Sequence, residues 1–170
     1  MALPTTLQLG VSAGAFELDR SEDVRDAVQL LAAQATRTLD IVSRHLDAPL
    51  FDQAAFLGAV RRLMLGSPHA RVRILVLDAA PAVARSHRLI ELAQTFSGFI
   101  EMRVQGLPHR RFNAAWLVAD GRGYLYREFS DRYESTVNFH DVREASQLVH
   151  RFDELWSRAV TDPNLRRLQL

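Results

Sequence analysis

Between residues 15 and 104, short apolar runs alternate with segments whose apolar residues recur every three or four positions, and that alternation leaves few architectures open. Ala15 to Asp19 reads as a short strand. Ser21 is placed to cap a helix carrying Val24, Val28, Leu31 and Ala35, with Glu22 and Asp23 in its first turn. Leu39 to Leu46 reads as a second strand, and Asp47-Ala-Pro-Leu50 as a connecting loop. Asp52 is placed to cap a second helix with Phe56, Leu57, Val60, Leu63 and Met64 on its apolar face, stopped by a left-handed Gly66. Val72 to Leu77 reads as a buried strand, Pro81 opens a third helix that closes at Gly98, and Phe99 to Val104 makes a fourth strand.

Three helices separating four strands predict βαβ units with right-handed crossovers. The second half changes character. Ala114 to Ala119 and Gly123 to Tyr126, joined by Asp120-Gly-Arg122, read as a hairpin with Asp-Gly turn chemistry. Glu134 to Phe139 adds a strand, and Val142 to Val160 is an amphipathic helix carrying Val149, Phe152, Leu155 and Trp156. Trp116, Leu117 and Val118 cannot all face one side of a strand, so the first hairpin strand should be buried on both faces. The expected fold class is therefore α/β, with a mixed, largely parallel β-sheet and helices on both faces. A chain of 170 residues can bury one sizeable core, so a single domain over 1–170 is expected, its core spanning about 15–160.

Composition removes whole classes of chemistry. All 21 basic residues are arginine, which excludes Schiff-base lysines, a P-loop lysine and a lysine general acid. With no cysteine there is no disulfide, thiolate nucleophile or Cys-based metal site. None of the six histidines forms the His-x3-His or His-Glu-x-x-His spacing of a helical zinc site, so neither a metal nor another cofactor is expected. No run approaches the ~18 apolar residues of a membrane span, and residues 1–10 lack a signal-peptide pattern. A cytoplasmic protein without membrane contact is expected. A net charge of +1 produces no strong field, so a nucleic-acid partner is not expected either.

The element order, ending in a long helix with Phe152-Asp-Glu-Leu-Trp156, resembles one half of the phospholipase D superfamily over roughly residues 15–160. That family carries His-x-Lys-x4-Asp on the first hairpin strand. Here Asn113-Ala-Ala-Trp-Leu-Val-Ala-Asp120 falls in its place, so Asp120 matches the Asp while Asn113 and Ala115 stand where the nucleophilic His and phosphate-binding Lys belong. Tyr126-Arg-Glu-Phe-Ser130 occupies the region of the family's Gly-Ser segment, and Glu134 looks like its later acidic position. The resemblance implies a single, degenerate phospholipase D-like half. The chain also resembles a small bacterial domain that follows GNAT-type acetyltransferase domains in some proteins. It has no acetyl-CoA loop, so acetyl transfer does not carry over.

Phosphodiester transfer through a phosphohistidine needs an imidazole nucleophile, a second imidazole and cations on the phosphoryl oxygens. Asparagine and alanine supply none of these. His109, two residues before Arg111, offers an imidazole near a cation, but stands eleven positions before Asp120 where the family pattern has seven. Candidate ligand-binding residues are Arg44, His45 and Asp78 at strand ends, His87 with Arg85 and Arg88 on the third helix, and His109, Arg111 and Arg127 around the hairpin. The expected role is a non-catalytic binding or regulatory domain with a phosphate-bearing ligand or a protein partner. The alternatives are an active phosphodiesterase or nuclease using His109, and a structural dimerisation module. The resemblance further implies a two-fold homodimer.

Overall fold

The first strand to form in sequence pairs with the last. In the computed structural model, which describes residues 3–105 and 112–166, β1 (Ala15–Leu18) lies antiparallel to β7 (Ser135–Asn138) at one edge of a seven-stranded sheet. The order continues through β6 (Gly123–Arg127), β5 (Ala115–Ala119), β2 (Thr38–Ser43) and β3 (Arg71–Val76) to β4 (Ile100–Val104). The sheet is mixed: β2, β3 and β4 are parallel, and the remaining pairings are antiparallel. Local alternation finds β1 but carries no information about a partner about 120 residues away.

Side-chain alternation divides the interior into two cores. Leu39, Ile41, Val72, Ile74, Leu117 and Leu125 face α1 (Ser21–Gln34), α3 (Ala54–Gly66) and α5 (Arg88–Thr95). Val42, Leu75, Trp116, Val118 and Tyr124 face α6 (Val142–Arg158). Helices thus cover both faces, and every residue of β5 is buried, as the double-sided apolar run requires. The β5–β6 turn also follows its chemistry. Asp120 (φ 55°) and Gly121 (φ 64°) are both left-handed, and the Arg122 N–H donates to the Ala119 carbonyl at 3.0 Å, which is a type I′ turn.

Several local expectations give way to longer-range contacts. Ser21 is the first helical residue and not a cap; Arg20 stands at the cap position, and its side chain makes no capping bond to the helix backbone. Residues Ala48–Phe51, expected as loop, form the short helix α2. Asp52 does not cap α3, because its carboxylate instead accepts from Arg88 Nε at 2.6 Å. Gly66 ends α3 without a left-handed conformation. The expected helix from Pro81 to Gly98 is broken in two, α4 (Ala80–Ala84) and α5, by a left-handed Ser86 (φ 51°). After α6, Val160 bridges to Val104 on β4, and α7 (Pro163–Arg166) follows.

The α6 face is sealed by stacked aromatics and arginines. Ala145, Leu148, Phe152 and Trp156 recur at helical spacing and are buried; Phe152 and Trp156 stack at 5.4 Å between centroids. The Arg103 guanidinium lies 4.3 Å from the Trp156 ring centroid and also donates to the Trp156 carbonyl. Trp156→Ala should therefore lower stability by about 3–5 kcal/mol in a urea melt.

Candidate functional site

Antiparallel pairing brings the start of β5 and the ends of β2, β3 and β6 to one end of the sheet. Arg44 and His45 directly follow β2, and Asp78 follows β3, in the crevice position where open α/β sheets collect ligands. His45 Nε2 lies 3.3 Å from Asp78 Oδ2, both side chains being about half exposed. Asp78 also holds the Ala80 N–H through Oδ1 at 3.2 Å, which sets the entry to α4.

Asn113 and Arg44 meet here. Arg44 Nη2 donates to the Asn113 side-chain oxygen at 2.8 Å and to the Phe112 carbonyl at 2.7 Å, and its Nε donates to Ser130 Oγ at 3.3 Å. The Ser130 N–H closes the loop by donating to the Asn113 carbonyl at 2.7 Å. Ser130 carries no sequence signal, since its partner Arg44 lies 86 positions away.

Ala115 is buried directly across from Arg127. The sequence places Arg127 as a free cation able to hold a phosphate; its guanidinium is in fact 4% exposed and occupied. Nη1 donates to Asp47 Oδ2 at 2.6 Å, Nη2 to the Ser130 carbonyl, and Nε with Nη2 to the Arg132 carbonyl. Arg132 itself lies over the exposed Phe129 ring. Asp47→Ala should cost roughly 3–5 kcal/mol by leaving the buried Arg127 charge uncompensated. Adding Arg127→Met should restore part of that loss in the same urea melt.

His87 is also not where its sequence neighbours suggest. It is buried, not part of an exposed Arg85–His87–Arg88 stripe, and it caps α5. Its Nδ1 accepts the Leu89 N–H at 3.1 Å, so Nε2 carries the proton and donates to the Leu46 carbonyl at 3.0 Å. That bond helps hold Leu46 in a left-handed conformation (φ 56°). Around these groups opens a cleft of about 380 Å³, lined among others by His45, Asp47, Pro49, Pro81, Arg85, His87, Ser130, Asp131 and Tyr133.

The sequence matches the family model described as Domain of unknown function (DUF7931) over residues 20–168. The chain belongs to this family. No curated protein sequence matches it. Among solved structures, Nuc from Salmonella typhimurium, a phospholipase D family member, is similar at a TM-score of 0.63 and 13% identity, covering 86% of this chain and 95% of that one. A phosphatidylserine synthase from Haemophilus influenzae Rd KW20 is similar at 0.64 and 13%, covering 93% and 41%. TrmBL2, an archaeal chromatin protein whose structure shows a novel mode of DNA binding, is similar at 0.64 and 16%, covering 89% of this chain; the chain spans 55% of TrmBL2. The fold of this DUF7931 domain is phospholipase D-like.

The other candidates of the DUF7931 chain lie elsewhere. Asp120 sits at the far end of β5, where its carboxylate accepts the N–H groups of Thr36, Arg37 and Thr38 at 2.8–3.2 Å and so anchors the start of β2. Glu134 is exposed in a separate depression with Glu17, Tyr126 and Glu128. His109 and Arg111 fall outside the described residues. Among the described residues no group of three or more His, Asp or Glu side chains is arranged to hold a metal.

Burial lowers the His87 pKa from the ordinary 6.5, reinforced by Arg88 and opposed by Asp52 and the Leu46 carbonyl. Above pH 6.5 the imidazole is neutral in both folded and unfolded chains. As pH falls below that value the unfolded chain takes up a proton that the folded one resists, so stability is lost. The melting temperature should fall more between pH 7 and pH 5.5 in the wild type than in His87→Gln.

Proposed function

We propose that this chain is a non-catalytic phospholipase D-like domain that binds a phosphate-bearing ligand in the cleft beside β2 and β6. One observation carries the reading. The strand positions that resemble the family's nucleophile and phosphate cation hold Asn113, whose amide oxygen accepts from Arg44, and a buried Ala115 facing an Arg127 already paired with Asp47. A group that donates no electron pair to phosphorus and a cation spent on an internal carboxylate do not perform phosphoryl transfer. The cleft alongside nevertheless presents polar groups that recognise an anion, with the exposed Arg85 and the Ser130 hydroxyl on its walls. Pairing of two copies belongs to the same proposal and rests on the resemblance alone.

The test is an assay on bis(p-nitrophenyl) phosphate with EDTA present, paired with calorimetric titration of inorganic phosphate. The expected result is no turnover together with phosphate binding that weakens in Arg85→Gln. Turnover abolished by His109→Ala would replace this reading with an active phosphodiesterase. A labelled DNA duplex, included because of the TrmBL2 likeness, is expected not to bind at 150 mM salt.

A further inference from the structure

Granting the anion-binding reading above, we infer that the ligand is a small phosphomonoester with a hydroxylated body, its phosphate directed to Arg85 and its hydroxyls to Asp131. Most of the charges around the cleft are already used. Arg127 and Asp47 neutralise one another at 2.6 Å. His87 has both ring nitrogens committed. His45 is bonded to Asp78. Two exposed lining residues are left, Arg85 from the α4 side and Asp131 from the β6–β7 connection, and neither makes an ion pair among the described residues.

A cleft that offers one lone cation and one lone carboxylate selects against a ligand that is anionic throughout. Inorganic phosphate satisfies Arg85 but brings negative charge towards Asp131, and a nucleic-acid backbone repeats that conflict at every residue. A phosphorylated polyol satisfies both walls, because a carboxylate accepts two hydroxyl protons well, as acidic residues do from the ribose of dinucleotides. Ser130 reinforces the polarity: its Oγ accepts from Arg44 Nε, so the hydroxyl proton is available to a ligand oxygen. The size agrees, since about 380 Å³ lies at the small end of ligand cavities and holds a molecule of sugar-phosphate dimensions.

Calorimetry on the full chain with glucose 6-phosphate and with inorganic phosphate tests this. Glucose 6-phosphate should bind about tenfold more tightly, the worth of a hydrogen-bonded carboxylate. Asp131→Asn should collapse the difference from both sides, weakening the sugar phosphate and strengthening inorganic phosphate by removing the repulsion. Arg85→Gln should weaken both ligands. Equal affinity for the two ligands, or a preference that survives Asp131→Asn, would overturn this inference while leaving phosphate binding intact. Failure of both anions to bind would overturn the anion-binding reading itself. Both substitutions are at exposed positions, and unchanged melting temperatures would establish that the variants are folded.

Discussion

A guanidinium buried between two loops decides how the cleft end of this sheet is built. Arg127 reaches from the end of β6 to Asp47 at the entry to α2, and to the carbonyls of Ser130 and Arg132 in the following turn. A buried charge costs several kcal/mol unless its partners stay in place, so these contacts pin the two walls of the cleft to one another. The small Ala115 opposite makes room for the arrangement. A long cation at 115 would point to the same face of the sheet as Arg127 and crowd it, so a small residue on β5 and an internal cation on β6 are parts of one packing solution.

The same residue type organises the opposite face. Arg73 donates to Asp40 and Asp153 at 2.7 and 2.8 Å, joining β2, β3 and α6, while its guanidinium covers the Phe152 ring at 4.6 Å. Burial raises the Asp40 pKa above its ordinary value, and the bonded Arg73 guanidinium offsets part of that rise. Arg151 over Trp116, at 4.9 Å, and Arg127 over Tyr133, at 5.3 Å, repeat the stacking. A planar, weakly hydrated guanidinium can lie on a ring and donate at its edge, which a compact ammonium cannot do as well. The absence of lysine thus has a structural expression in addition to the chemistry it removes.

What could be read from sequence was what is local. The β5–β6 hairpin was legible because Asp120-Gly121 supplies the two left-handed residues its turn demands, and the double-sided burial of β5 followed from Trp116, Leu117 and Val118. The grouping of Arg44, His45 and Asp78 at strand ends followed from the order of elements. The roles of His87 and Arg127 were not legible. Each depends on a group from a distant segment, the Leu46 carbonyl in one case and Asp47 in the other, and neither partner has a composition that announces it. The break between α4 and α5 falls at Ser86, without the glycine or proline that normally marks such a point.

The placement of β1 has a mechanical consequence. It lies at one edge of the sheet, while the segment holding Val160 closes the other edge against β4. At about 4.8 Å per strand, roughly 30 Å of sheet separates the two. Tension applied through these segments would run across the strands, along the direction of their hydrogen bonds. The sheet would then peel from its margins one bond at a time instead of shearing many bonds together, so the two edges are its weakest points under load.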